Sequence, residues 1–401
     1  SFSVSIKKKQ LMFKLRSDLK FHDGSPLDCL TTKKSFERLV KNSETASLKF
    51  PINTKFQCQD DKTLIIQLDR MHSLILEQLA SPAASIAKNN GLIGLGPFRL
   101  VRQSKQQIEL ERVYKKNPQT LIFKIAPAAD LVEQFNLGKV HDILYLGLLS
   151  SPESLSVKNC KQISGLSPTS FWINLNTRSW GLDKRSIRKA VHSLLTDAVQ
   201  SLNLFEKEVP SHSLIPFGIS GRRAIASSND RASLLAVVFN HAKKYGHLHL
   251  TVRDVQFREY DWQQLTQYVD PMQQWIDIEI LDSRTFFERY YTTTLSVFLI
   301  GANASRNDPF EVLSFFRKSD PVNPSGIKVD VVDRLQDLAS KEIDRNTYLR
   351  LAHNAEEWVI NEGYAVPLFS KRFRGCTSPY LTGYSLGPLG PLSIEYENIK
   401  F

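Results

Sequence analysis

Between Gln10 and Lys41 the chain changes its hydrophobic period once, and that change confines it to folds that pack helices on sheets. Leu11, Phe13 and Leu15 alternate with polar neighbours over Gln10–Arg16, which predicts a half-buried strand. His22-Asp-Gly-Ser-Pro26 supplies turn chemistry. Phe36, Leu39 and Val40 then recur at helical spacing over Thr31–Lys41. A period of two followed by a period of 3.6 is the pattern of mixed α/β or α+β architecture.

The same alternation of element types runs on. Strands are predicted at Thr63–Leu68, Leu121–Ile125, Phe171–Asn176, Leu248–Val252, Ile276–Leu281 and Ser296–Ile300. Leu92–Arg112 reads as a hairpin, with Phe98 and Leu100 before the polar Gln103–Gln107 and Ile108 and Leu110 after it. Asp183 is a good N-cap for a helix reaching Val199. A second helix over Asn346–Ile360 lines up Tyr348, Leu351, Ala352, Ala355 and Val359 on one stripe. Ser150–Ser170, rich in Ser, Pro and Gly, reads as a linker.

Catalytic patterns are missing. Gly91-Leu-Ile-Gly-Leu-Gly96 has the wrong spacing for a phosphate loop and a strand follows it. There is no Walker, GxSxG or HExxH pattern, so the reading assigns no catalytic residue, cofactor or metal. His247 and His249 share one strand face without a third ligand nearby, and read as exposed histidines. His22-Asp23 reads as part of its turn, and Asp60-Asp61 and Glu356-Glu357 as polar turn and helix surface. Asn303-Ala-Ser305 matches a glycosylation triplet that is common by chance.

Charge and length bound the rest. A chain of 401 residues holds two or three domains. Its net charge of +11 is scattered, with Lys7-Lys8-Lys9 the densest run, whereas nucleic-acid binding asks for clustered cations with exposed aromatics. Cys29, Cys58, Cys160 and Cys376 show no metal spacing and read as small buried hydrophobes, Cys29–Cys58 being the first pairing to consider in an oxidising compartment. No run approaches the ~20 apolar residues that span a bilayer. The opening Ser1–Ser5 lacks the basic end and apolar core of a signal peptide, which leaves a removed signal or a fragment.

The order of short motifs is more specific. Phe13-Lys-Leu-Arg-Ser-Asp-Leu-Lys-Phe-His-Asp-Gly-Ser-Pro-Leu27, followed by Ser35-Phe-Glu-Arg-Leu39, resembles the signature of the extracytoplasmic solute-binding proteins of peptide and nickel ABC importers. Further blocks come in that family's order. They are Gly94-Leu-Gly-Pro-Phe98, Gly138-Lys-Val-His-Asp-Ile143, Phe171-Trp-Ile-Asn-Leu-Asn-Thr177 with Ile187-Arg-Lys-Ala190, and Asp308-Pro309 with Val366-Pro-Leu-Phe369. The resemblance covers about residues 10 to 390.

It implies an α/β, two-lobed periplasmic-binding-protein-like fold with a hinge and an extra subdomain inserted in the first lobe. Residues 1–92 would form the inserted subdomain, 93–172 the first lobe, 173–365 the second lobe and 366–401 the return to the first. Family members carry several dozen residues ahead of the first motif, so the N-terminal part of lobe one is expected to be missing here. The implied function is capture of a peptide or peptide-like solute between the lobes and delivery to the membrane permease. The protein would be a monomer, periplasmic or at the cell surface, with no nucleic-acid partner. Candidate ligand contacts are Trp172 and Asn174 near the hinge strand, and Asn303, Ser305 and Arg306 on a loop at a strand's carboxyl end. Asp308-Pro309 reads as a turn that starts a helix.

One departure bears on the ligand. Peptide binders of the family often place a tryptophan and an amine-binding acid in this stretch, where the present chain has Ala302 and Ser305 followed by Arg306. That implies a neutral or anionic ligand. The alternative reading keeps the fold and makes it the ligand-sensing module of a cytoplasmic transcription regulator.

Overall fold

The computed structural model describes residues 1–41, 53–71, 73–80, 84–114, 118–143, 157–202, 205, 208–222, 231–257, 260–385 and 394–400. Strands β1 (Phe2–Ser5), β2 (Gln10–Lys14), β3 (Lys55–Asp60) and β4 (Thr63–Gln67) form an antiparallel sheet in the order β1-β2-β4-β3. Helix α1 (Cys29–Lys41) packs Phe36 against Phe56, over a core of Leu11, Leu64 and Ile66. The two-residue period placed Leu11 inward, and the helical stripe supplied its cover. Cys29, the first residue of α1, is disulfide-bonded to Cys58 of β3, with their Cα atoms 5.8 Å apart.

After α2 (Ile75–Leu79) comes a second antiparallel sheet of β5 (Phe98–Gln103), β6 (Gln107–Arg112) and β7 (Thr120–Lys124), then α3 (Ala128–Asn136) and the short β8 (Asp142–Ile143). His22 bridges the first sheet to this region, its ring Nε2 lying 3.0 Å from the Gly96 carbonyl.

The third sheet has seven strands. It contains β8, the fifteen-residue β9 (Lys161–Leu175), β10 (Val209–Pro210), β11 (Leu248–Arg253), β12 (Ile276–Leu281), β13 (Val297–Asn303) and the thirteen-residue β14 (Ala365–Thr377). β11 pairs in parallel with β12 and β13, while β9, β14, β10 and β8 join antiparallel. One face is covered by α4 (Arg185–Ser201), α5 (Arg231–Tyr245) and α7 (Trp262–Val269), which follows α6 (Asp254–Phe257). After α8 (Ser283–Tyr291), the other face is covered by α9 (Phe310–Leu313), α10 (Val331–Ala339) and α11 (Arg345–Asn361). Ile173 and Leu175 point into the first of these cores and Trp172 into the second, as alternation along a strand requires.

Three sequence readings are corrected. Residues 161–170 are strand and not linker; Ser164, Gly165, Ser167 and Pro168 gave that stretch a loop-like composition. Residues 150–156 of the predicted linker lie outside the described residues. Helix α4 starts at Arg185 after Lys184 with no side-chain cap, so Asp183 is not its N-cap. The four cysteines are not unpaired hydrophobes: Cys160 and Cys376 form a second disulfide, Cα to Cα 5.5 Å.

Candidate functional site

β9 and β14 pair in a ribbon that runs from the helix-covered cores to a smaller far core; over Thr169–Leu175 β9 also pairs with β13, and at Phe369 and Ser370 β14 also pairs with β10. Trp172 to Leu175 and Ala365 to Phe369 sit in the cores around α4 and α11. The far end sits with Val132, Phe135, Ile143 and Cys376, and the Cys160–Cys376 disulfide closes it. Between the two ends the pairing is irregular twice. Pro367 pairs with Trp172 but Phe369 with Phe171, and Ser370 pairs with Ser170 but Arg372 with Leu166. The second irregularity sets Ser167, Pro168 and Thr169 against the single residue Lys371. Proline, which lacks a ladder donor, is at home in such a bulge. Two interruptions therefore flank the regular pairs Phe171–Phe369 and Ser170–Ser370, whose phenyl rings stack at 4.9 Å. Gly301 on β13 is required here, because a Cβ would come within 2.7 Å of the Phe171 ring.

Two loops lie beside this crossing. The first follows β13, whose last residue is Asn303, and carries Ser305 and Arg306. Thr169 Oγ1 donates to Asn303 Oδ1, and the Ala304 amide donates to the Pro168 carbonyl at 2.8 Å. The Ser305 amide and hydroxyl and the Arg306 amide all donate to Glu311 at 2.5–3.2 Å. The Arg306 guanidinium donates twice to Asp308 Oδ2, at 3.1 and 3.2 Å. Asp308 Oδ1 accepts from the Phe310 amide at 3.0 Å and from the Tyr348 hydroxyl at 2.7 Å. Burial first, then the neighbouring Asp308, pushes the Tyr348 phenol upward. Asp308-Pro309 does open a helix, α9.

The second loop, residues 211–222, touches the first: the Ser220 amide donates to Asn307 Oδ1 at 2.7 Å. It also leans on the ribbon. Ser170 Oγ donates to the Leu214 carbonyl, and the Phe217 amide donates to Ser370 Oγ at 3.4 Å. Its anchor is Glu356 of α11, whose Oε1 accepts from Ser213 Oγ at 2.7 Å and from the Leu214 and Ile215 amides at 2.6 and 3.2 Å.

The five candidates thus fall into two groups. Trp172 is 1% exposed, packed against Phe315 and Phe316 in the core under α11. Asn174 is equally buried and accepts from Ser325 Oγ at 2.7 Å. Asn303 ends β13, exposed, and Ser305 and Arg306 lie half-buried on the loop after it, beside the ribbon. Glu356 was read as helix surface and is fully buried, a correction the sequence itself could have supplied. It stands four residues after Ala352 and eight after Tyr348, in phase with the apolar stripe of α11, whereas Glu357 points away from it.

Residues 1–324 match the family described as bacterial extracellular solute-binding proteins, family 5 Middle. The chain belongs to this family. Among the relatives of this family 5 chain is the probable D,D-dipeptide-binding periplasmic protein DdpA of Escherichia coli K12, 23% identical over 97% of this chain and 81% of the relative. The crystal structure of NikA from Brucella suis in complex with Fe(III)-EDTA superposes with a TM-score of 0.80, at 15% identity, over 100% of this chain and 90% of that one. The periplasmic binding protein DppA from Helicobacter pylori in complex with peptide STSA gives 0.74 at 16%, over 100% and 88%. The fold is that of two-lobed periplasmic binding proteins. Among the described residues no helix is long and apolar enough to cross a membrane, and no cluster of His, Cys, Asp and Glu is placed to hold a metal ion. A cavity of about 690 Å³ lined by His22, Gly94, Phe98, Leu100 and Leu110 lies against the second sheet, and no ribbon residue lines it.

Proposed function

We propose that this family 5 chain is the substrate-binding component of an ABC importer, taking up a peptide or peptide-like solute between two lobes and passing it to the permease. The observation that carries the reading is the β9–β14 ribbon, continuous between two cores and irregular on both sides of the Ser170–Ser370 pair. A few residues that absorb backbone change between rigid bodies are what hinge closure needs. Solute favours the closed form by its differential affinity for it. In this reading residues 93–172 and 366–401 make the first lobe, 1–92 its subdomain and 173–365 the second lobe. The ligand contacts come from Asn303 at the end of β13 and from Ser305 and Arg306 on the loop after it, while Trp172 and Asn174 are buried within β9 as part of the ribbon itself.

The names of relatives support the ligand class, one being a D,D-dipeptide-binding protein and another having been crystallised with a peptide. The loop chemistry supports a finer reading. Asp308 and Glu311 are both spent on contacts with the loop, α9 and Tyr348 of α11, so neither is placed to hold a ligand ammonium. Lys371 and Arg372 add positive charge at the crossing, Lys371 lying 5.8 Å from the Phe171 ring centre. The ligand is accordingly neutral or anionic, such as a peptide with a blocked amino end or a free carboxylate.

The two disulfides fit an oxidising, extracytoplasmic compartment and argue against the cytoplasmic regulator. The protein acts as a monomer, without catalysis and without nucleic acid. Native mass spectrometry of the purified chain, mixed with a pool of free and amino-acetylated di- and tripeptides, tests the reading. One acetylated peptide per chain is expected; preferential retention of free-amine peptides would contradict the finer assignment, and no retention of any peptide the coarser one.

A further inference from the structure

Glu356 has an unusual set of partners for a carboxylate on a helix stripe. It is fully buried, and all three donors to its Oε1 come from one short run, Ser213–Ile215. That run does not end at the helix. Its Leu214 carbonyl receives the Ser170 hydroxyl and its Phe217 amide reaches the Ser370 hydroxyl, so both strands of the ribbon are tied to it at the pair flanked by the two irregularities. Ser170 and Ser370 are themselves completely buried. The second carboxyl oxygen, Oε2, has no hydrogen-bond partner among the described residues. Among the described residues, two charged or titratable groups face the carboxyl. His353, one turn earlier on α11, places Nδ1 3.9 Å from Oε2. Arg222, at the end of the loop, lies over the Phe217 ring at 3.7 Å and donates to Ser211 Oγ at 3.1 Å.

We propose that Glu356 is a positioning residue for lobe closure, holding the 211–217 loop against the Ser170–Ser370 crossing and so setting the stiffness of the ribbon. The proposal rests on the reading of the chain as a two-lobed solute-binding protein. The carboxyl touches no candidate ligand contact; it acts through the loop. Burial raises the Glu356 carboxyl to about 7, against the opposing pull of Ser213, the Ile215 and Leu214 amides and Arg222. A group whose value is raised in the anchored state favours that state when protonated. The anchoring is therefore strongest below the ordinary carboxylate range and is lost as pH rises through about 7, where conformers that hydrate the carboxylate gain.

Hydrogen exchange on the full chain without ligand, corrected for intrinsic rates, tests this in segments 211–217, 169–171 and 369–371. In the wild type, opening of all three should rise about tenfold between pH 6 and pH 8, as linkage to a single raised carboxyl dictates. Glu356→Gln keeps the shape and removes the titration, so its three segments should stay at the low-pH level. Ser170→Ala cuts the tie to β9, so the loop should keep its pH dependence while segment 169–171 loses it. The proposal is overturned if wild type and Glu356→Gln share one pH profile, or if the loop responds and neither ribbon segment follows. No ligand enters the readout, so an error in the solute class leaves these outcomes unchanged.

Discussion

Ser170 and Ser370 face each other across β9 and β14, both fully buried, at the one stretch of the ribbon where regular pairing is bounded by an irregularity on either side. Neither hydroxyl is spent on the strand opposite: Ser170 donates to the Leu214 carbonyl, and Ser370 accepts from the Phe217 amide. A buried hydroxyl needs a partner, and here both partners come from a loop outside the sheet. The crossing between the two cores is thereby connected to helix α11 through Glu356.

The far end of the ribbon is held covalently. Replacing both Cys160 and Cys376 by serine should lower stability by about 2–5 kcal/mol, the usual effect of losing a disulfide that closes a long loop. Urea denaturation of the double variant checks the size. Thiol titration of the denatured wild type should find no free cysteine, and four reactive thiols would remove the pairing altogether.

Arg306 is expected to matter for folding as well as for binding. Asp308 is 4% exposed, and its Oδ2 depends on the Arg306 guanidinium. Removing one member of a buried pair leaves the other charge unpaired, so Arg306→Ala should cost about 3 kcal/mol of stability. A thermal melt unchanged by the substitution, together with weakened peptide binding, would show instead that the side chain serves the ligand alone.

His192 gives the acid limb of the stability profile. Its Nε2 lies 3.0 Å from the Ala365 carbonyl, and burial lowers its value from 6.5 to about 4. The folded value lies below the unfolded one, so the stabilisation is present above pH 6.5 and disappears as pH falls towards 4. Between those limits the wild type should lose on the order of 2–3 kcal/mol that His192→Gln does not lose. Parallel pH profiles for the two proteins would refute the assignment.

Strand alternation and helical stripes were enough to place β2, β4, the β5–β6 hairpin, α1 and α11 in the sequence, because each buries one face and shows one period. β9 was half hidden for a physical reason. Its first ten residues lie outside the helix-covered cores and carry Ser164, Gly165, Ser167 and Pro168, so their composition is that of a loop although their burial alternates, and Pro168 falls in the irregularity opposite Lys371. The candidate loop was legible as a location but not as a chemistry. Nothing in the order Ser305, Arg306, Asp308, Glu311 tells that the two acids are consumed by their own loop and by Tyr348. Glu356 lay in phase with the stripe of α11 and was obscured by its exposed neighbour Glu357.

The central claim is that two bodies close about the β9–β14 ribbon when solute binds. Spin labels on cysteines introduced at the exposed positions Lys139 and Lys318, one in each proposed lobe, report it directly, the native cysteines being already paired. Pulsed-resonance distances measured with and without the acetylated di- and tripeptide pool should show a shorter, narrower distribution in the presence of peptide. A distribution that peptide leaves unchanged, in a sample whose bound peptide is confirmed by mass spectrometry, would contradict closure about this ribbon.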